Sequence, residues 1–397
     1  MKKVLVMSSR IPYPLTAGYK IRIYYLSRIL ARKYRVDLLA IDENRDGNYR
    51  ELEKIYRRVR VFRVSGFRLR RQALFGLVGA KPLQVKYYFL PEVQEWLKDH
   101  AGDYDLIYCN HIRMAEYLRE TGIPKLIDFH DAISMHYQSS LSRARGLWKM
   151  IYQVESRRVL NYELAVLQFF DKAFITAPAD RNYLLSRFYR VNPGQEPCPV
   201  VVIPMGVKEE VLSRPECSEE EDWVVFLGKM DYYPNQEAAV YFAREVFPLV
   251  KKISGREMEF VIVGTSPTGR VLELENIPGV RVTGFVEDPY FYLERARVVV
   301  APVRLGAGIQ NKILEAMALK KAVVTTPVGV RGIHGAEPGR HLLAAASTEE
   351  IAETVAKVLE DEELRRHLGK HGRALVEQKY TWEVIEPQVL REIDELV

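Results

Sequence analysis

The sequence predicts an α/β chain of two successive doubly wound domains, and three observations carry that expectation. Short apolar runs alternate with helix-length amphipathic stretches, the pattern restarts after residue 208, and 397 residues exceed what one core usually covers. Continuous apolar runs mark strands buried on both faces of a parallel sheet. Such strands need helical crossovers between them.

In the first half, KVLVMSS, VDLLAID, RVFRV, DLIYCN, KLIDF, KAFIT and PVVVIP read as strands. The loop IPYPLTAG leads into a helix expected from Tyr19 to about Lys33. Further helices are expected over Val93–His100, Ile112–Glu120, Trp148–Phe170 and Ala179–Phe188. The charged stretch KEEVLSRPECSEEED lacks apolar periodicity and reads as a linker. WVVFLG, EFVIVG, VRVTGF, VVVAPV, AVVTT and HLLAA then supply a second set of strands, and Ser347–Tyr380 a charged helical region. The expected division is residues 1–207, residues 208–380 and a closing helix over 381–397, able to cross back onto the first domain. Two doubly wound domains facing a cleft would bind ligands at the carboxyl ends of their strands.

Composition narrows the class. With 48% hydrophobic and 28% charged residues the chain is globular rather than disordered. It has no apolar run of about 18 residues, and the apolar stretch in MKKVLVMSSRIPYP is too short for a signal peptide. Cys109, Cys198 and Cys217 show neither ligand nor redox spacing, so a cytoplasmic protein is expected. The net charge of +6 conceals an asymmetry: residues 1–207 carry 34 Lys/Arg against 20 Asp/Glu, the remainder 24 against 32. The first half is therefore expected to meet something acidic, either a phosphorylated substrate, an anionic membrane or nucleic acid. Residues 50–90 hold eleven Lys/Arg against two Asp/Glu, interleaved with aromatics. That segment, helped by GLWKMIYQVESRR, suits an anionic membrane surface. No nucleic-acid recognition module is visible, and nucleic acid is not expected.

The stretch APVRLGAGIQNKILE carries the chemistry. Gly306 and Gly308 flank Ala307 directly after a strand, and a helix expected from about Ile309 would point free N–H groups and its positive dipole end over the turn. Backbone without side chains lets a phosphate approach. Lys312 and Glu315, three residues apart, share a helix face. The lysine suits a diphosphate and the carboxylate a ribose diol. On spacing alone, a plain turn and an exposed ion pair fit equally. The pattern is neither GxGxxG after the first strand nor GxxxxGK[ST], which speaks against dinucleotide oxidoreductases and P-loop enzymes. In the first half, PLTAGYKIR puts Gly18 at the start of the first helix, and LIDFHDAIS puts His130 and Asp131 at a strand's carboxyl end. His111 in YCNHIRMAEY is a weaker strand-end candidate.

The segment GxGxxNKxLEAMAxxxxVVTTPxG resembles the donor-binding signature of glycosyltransferase family four, which has the GT-B fold of two Rossmann-like domains. Within it, the likeness is to bacterial sugar transferases of polysaccharide and lipid-linked glycan assembly. VVIPMGV, FLGKMDYYPNQEAAVYF and VRVTGFVEDPYFYLERARVVVAPV resemble other parts of the family in the same order, so the likeness covers most of the chain. The resemblance implies that Glu315 binds the nucleotide ribose. It also places Lys229, after Gly228, where the family often has an arginine for the diphosphate. The second basic residue usual nearby is not evident, Pro234 and Asn235 standing there instead, and Lys312 is expected to compensate. The family's other glutamate would fall on Ala307. Arg304 is expected to line the site, Gly18 to let donor phosphate and acceptor approach, and His130 with Asp131 to lie beside the donor sugar. The resemblance thus implies a retaining transferase that moves a sugar from a nucleotide-diphosphate sugar to a glycan or lipid-linked acceptor. It would be peripheral on the inner membrane face, with no cofactor and no metal, because two lysines and a helix end can neutralise the leaving diphosphate. The alanine at position 307 leaves two alternatives open: a non-catalytic nucleotide-sugar-binding subunit, or a GT-B sugar-nucleotide epimerase.

Overall fold

The computed structural model describes residues 1–43, 49–75, 79–141, 146–306 and 308–397. They form two compact units, Met1–Pro204 with Ile385–Val397, and Met205–Val384. The stretch expected as a linker falls inside the second unit and includes a short helix, Glu209–Leu212.

The first unit is built on seven parallel strands: β1 (Lys3–Ser8), β2 (Arg35–Asp42), β3 (Arg58–Arg63), β4 (Leu106–Asn110), β5 (Lys125–Asp128), β6 (Lys172–Ile175) and β7 (Val200–Val202). Their order is β3-β2-β1-β4-β5-β6-β7. Every residue of β4, β5 and β6 is buried, as their continuous apolar runs require. The second unit has six parallel strands: β8 (Glu221–Leu227), β9 (Glu259–Val263), β10 (Val280–Gly284), β11 (Ala296–Ala301), β12 (Val323–Thr325) and β13 (Leu343–Ala344). Their order is β10-β9-β8-β11-β12-β13. Both sheets therefore reverse direction once, between β1 and β4 and between β8 and β11.

Two expectations about helices change. The stretch expected as a helix over Ile112–Glu120 is a 3₁₀ turn, Ile112–Leu118. Its buried residues Ile112, Ala115 and Leu118 recur every third position, as do Met114 and Tyr117, and that period eclipses them on the tighter coil. The Ser347–Tyr380 region is two helices, Thr348–Glu360 and Glu362–Lys379. Ser347 and Glu350 form a reciprocal capping box on the first, and the Asp361 carboxylate, accepting from Leu364 N at 2.8 Å, opens the second. The final helix, Trp382–Asp394, supplies its last turns to the first unit. There the buried Lys172 ammonium donates to the Glu392 carbonyl at 3.0 Å and its carboxylate at 2.8 Å.

At the centre of the first unit lies a fully buried ion pair. Arg22, in the helix Gly18–Ala31, donates from Nε to Asp128 Oδ2 at 2.7 Å, and both side chains are wholly inaccessible. Asp128 also accepts from the Tyr108 hydroxyl at 2.5 Å and from the His130 backbone N–H at 3.2 Å. Arg22 Nη1 donates to the carbonyls of Ile203 and Pro204 at 2.8 and 3.1 Å, where the chain leaves this unit. Burial acts against the Asp128 charge, but Arg22, His130 and the hydrogen bonds from Arg22 and Tyr108 together outweigh it and hold the carboxyl below its usual range. Because breaking one side of such a pair strands the other charge, Arg22→Met is expected to cost about 3–5 kcal/mol. Arg22→Met combined with Asp128→Leu should cost clearly less. Urea unfolding of the three proteins checks this, and equal losses in single and double variants would contradict it.

Candidate functional site

In the second unit, the loops after β8 and β11 meet at the point where strand order reverses, the position at which open α/β sheets bind ligands. Glycines make the approach possible. A Cβ on Gly264 would lie 1.8 Å from the Gly228 carbonyl oxygen, and one on Gly332 would lie 2.1 Å from that of Gly308. Neither could carry a side chain with this backbone. Gly306 and Gly308 both have positive φ, 139° and 69°. The helix after them begins at Asn311, two residues beyond the expected start at Ile309, with Gln310 as its N-cap. Ala307 lies outside the described residues.

Lys312 is held from two sides. Its amine donates to Asn235 Oδ1 at 2.7 Å and, weakly, to Gln310 Oε1 at 3.5 Å. The Asn235 amide in turn donates to the Lys229 carbonyl at 2.9 Å. Asn235 thus joins the β8 loop to the helix after β11, from the stretch where a second basic residue would be usual. Burial pushes the Lys312 pKa down to about 8, with Glu315 opposing, so a bound anion would restore its full charge. Glu315 accepts from the Tyr290 hydroxyl at 3.2 Å. Burial raises its pKa, opposed first by Lys208, whose ammonium sits 5.0 Å from the Tyr290 ring centroid. Tyr290 and Lys208 lie 25 and 107 residues before Glu315 in the chain, and no spacing rule links them to it.

The other donor-side candidates sit differently. Lys229 is half-exposed and pairs with Asp231 at 2.9 Å, an interaction that a diphosphate would compete with. Arg304 lies with its guanidinium 3.6 Å from the Tyr241 ring centroid, a cation–π contact.

In the first unit, His130 and Asp131 come directly after β5, and Gly18 opens the first helix. His130 has positive φ, 64°, with its backbone N–H on Asp128. Its Nε2 lies 2.8 Å from the Asn110 amide nitrogen. With Asn110 donating, Nδ1 carries the imidazole proton and can donate in turn. Burial pushes the His130 pKa down to about 4, against the pull of Asp128, so the ring is neutral at physiological pH. Asp131 accepts from the Thr176 hydroxyl at 2.9 Å, and burial raises its pKa. That bond ties it to the end of β6. His111 has φ 75°, and its Nδ1 accepts from Arg113 N at 3.4 Å. Among the described residues no group of three or more His, Cys, Asp or Glu is arranged to hold a metal ion.

Known proteins resemble this geometry. Residues 221–361 match the family described as Glycosyl transferases group 1. The matched residues lie within the second unit. The capsular polysaccharide biosynthesis glycosyltransferase CapM of Staphylococcus aureus is 28% identical over 139 residues, 33% of this chain. The chain spans 36% of the length of CapM. Two solved structures align along the whole chain. Sucrose-phosphate synthase from Thermosynechococcus elongatus has a TM-score of 0.71 at 19% identity, and covers 100% of this chain and 99% of its own. HepE of Anabaena, in complex with UDP and glucose, has a TM-score of 0.68 at 17% identity, with both chains covered completely. The two parallel Rossmann-like sheets are those of the GT-B glycosyltransferases.

The His130 geometry sets a pH dependence. Its folded pKa lies below the ordinary value of about 6.5, so the unfolded chain binds more protons between the two. Its contribution to stability is complete above about 6.5 and is lost as pH falls towards 4. The His130 imidazole, identified in NMR spectra by comparison with His130→Gln, should titrate with a midpoint of about 4. A midpoint near that of a free imidazole would contradict the buried, neutral ring.

Proposed function

We propose that this protein is a group 1 glycosyltransferase that moves a sugar, with retention of its anomeric configuration, from a nucleoside-diphosphate sugar to a hydroxyl of a glycan or lipid-linked saccharide. The observation that carries the reading is the pair of linked side-chain sets at the β8/β11 reversal, Lys312–Asn235–Lys229 on one side and Glu315–Tyr290 on the other. Glu315 accepts from the two ribose hydroxyls, and the Tyr290 hydroxyl fixes the orientation of its carboxylate. Lys229, Lys312 and the N–H groups around Gly308 take the diphosphate. In the reaction the bond from the anomeric carbon to the diphosphate oxygen breaks and the acceptor oxygen bonds to that carbon. The acceptor hydroxyl loses its proton, and charge develops on the leaving diphosphate where the lysines stand. The nucleotide held by HepE supports this class of donor.

Retention and metal independence rest on the family resemblance and on the cations already present. His130, donating from Nδ1 as a neutral group, is assigned to a sugar hydroxyl, and Asp131 to holding the same loop. A peripheral position on the inner membrane face is supported by the basic surface of the first unit. Arg57, Arg58, Arg60, Arg63, Arg68 and Arg70 are exposed, beside Phe67 at 76% exposure. Residues 76–78 of that stretch lie outside the described residues, and among the described residues no helix is long and apolar enough to cross a membrane.

Glu315→Gln is expected to weaken UDP binding about tenfold, the loss of charge-assisted hydrogen bonds, while leaving the melting temperature nearly unchanged. Calorimetric titration reads it, and unchanged affinity removes the ribose role. With a nucleotide-sugar donor, release of nucleoside diphosphate together with a glycosylated acceptor separates transfer from mere binding and from epimerisation. A chelator should leave that turnover intact. Sedimentation with anionic vesicles should capture the protein at low salt and release it at high salt. No capture at low salt would end the membrane proposal.

A further inference from the structure

The first unit holds a cluster of cations that the nucleotide site leaves unused. Arg10 comes after β1 and Arg113 after β4, so the two stand at the carboxyl ends of the neighbouring strands between which the order reverses. Tyr88 gathers both. Arg10 Nε donates to the Tyr88 hydroxyl at 3.0 Å, and its Nη1 to the Tyr19 hydroxyl at 3.2 Å. The Arg113 guanidinium lies 5.5 Å from the Tyr88 ring centroid, with Nε donating to Gln84 Oε1 at 3.1 Å.

What is missing from the cluster is a carboxylate. After burial, the groups acting on Arg10 are Tyr88 and Tyr19, and those acting on Arg113 are Tyr88, Arg10, Tyr19 and Tyr137; among the described residues neither arginine makes an ion pair. Burial pushes the Arg113 pKa down, and the nearby Arg10 charge adds to that push. His111 is driven well below its usual pKa by burial and by Arg113, and stays neutral. Lys20, in the first turn of the adjoining helix, is 7% exposed and also makes no ion pair among the described residues. Elsewhere in this unit Arg22 is compensated by Asp128 and Lys172 by Glu392, while the buried Lys125 ammonium is met by the carbonyls of Leu118 and Thr121.

An arginine carries five N–H donors in a planar fork. Arg113 spends one on the protein, and Arg10 spends its Nε and one on Nη1, so terminal N–H groups of both remain. Arg10 is exposed and Arg113 partly so, hence these donors are accessible. Two accessible, uncompensated forks, held by phenols beside a neutral imidazole at a sheet's reversal point, match an oxyanion with at least two oxygens.

We propose that Arg10 and Arg113 form a binding site for an oxyanion, a carboxylate or a phosphate, carried by the saccharide acceptor. The acceptor's being a saccharide rests on the glycosyltransferase reading above; the anion site does not. The enzyme would thereby select acidic or phosphorylated acceptors over neutral ones.

The test uses the full chain with UDP held at saturation, so that an added anion cannot occupy the nucleotide site. Methyl glucuronide, glucose 6-phosphate and neutral methyl glucoside are titrated and their binding is read by ligand-observed NMR. One of the two anionic sugars should bind at least about tenfold more tightly than the neutral one, and which of them does so identifies the group. Arg113→Gln and Arg10→Gln should each remove most of that advantage and leave UDP affinity within about twofold. Arg113→Lys, which keeps the charge but loses the fork, should fall between. Arg10 is exposed, so its variant tests the proposal even if Arg113→Gln unfolds, and melting curves show which has happened. No preference for either anion, or a preference that survives in Arg10→Gln and in the double variant, overturns the site. A large loss of UDP affinity in Arg10→Gln would assign the arginines to the nucleotide instead. Failure of the glycosyltransferase reading shows separately, as absence of UDP binding in the unaltered chain.

Discussion

Both halves of this protein depend on one constraint: a parallel sheet whose strand order reverses once. Parallel strands need right-handed crossovers, and a reversal sends successive crossovers to opposite faces of the sheet. The carboxyl ends of the two strands at the reversal are then left without a covering connection. In the second unit those strands are β8 and β11, and their loops carry Gly228–Lys229 and Gly306–Gly308. In the first unit they are β1 and β4, whose loops carry Arg10 and Arg113. His130 stands one strand further along, after β5. The residues of each candidate site come from distant stretches of chain because strand order, not sequence distance, sets which loops are neighbours.

Charge separates structural positions from candidate functional ones. Arg22 and Asp128, fully buried, answer each other and are completed by Tyr108 and two carbonyls. Glu163, a buried carboxyl pushed up to about 8, accepts from Ile133 N and the Ser134 hydroxyl at the start of the helix Ile133–Leu141. These groups have the partners that burial demands. Lys312 donates only to neutral amide oxygens and burial pushes it down to about 8 against the pull of Glu315, while Glu315 meets a phenol and a lysine above its ring. Arg10 and Arg113 face only neutral partners. Lys312, Arg10 and Arg113 thus donate only to neutral groups, and perturbed ionisation at such positions marks candidates for a charged ligand.

The two histidines at the strand ends show how the same fold tunes a neutral donor. Burial keeps His130 uncharged, Asn110 fixes its tautomer, and the Asp128 carboxylate that holds its backbone is itself committed to Arg22. The loop geometry and the ionisation state thus share one buried salt bridge.

Much of this was legible in the sequence. Continuous apolar runs such as DLIYCN and WVVFLG indicated parallel strands because burial on both faces leaves no room for alternation, and the glycines around position 307 with Lys312 and Glu315 pointed to the candidate site at the β8/β11 reversal. Local spacing reports what lies on one helix face or one strand end, and it reached that far. Asn235, Tyr290 and Lys208 join the candidate site, and Arg22 the buried core of the first unit, through contacts between separate elements of the chain. Lys312 was expected to compensate for the second basic residue, and its amine is bonded to Asn235, from the stretch where that residue would be usual. The stretch after β4 had helical spacing but closes as a 3₁₀ turn, because apolar residues every third position pack under it. Apolar period and turn chemistry are written along the chain and determine its elements. Strand order, tautomers and which charges are left uncompensated depend on neighbours brought together by the sheet, and only the tertiary structure decided them.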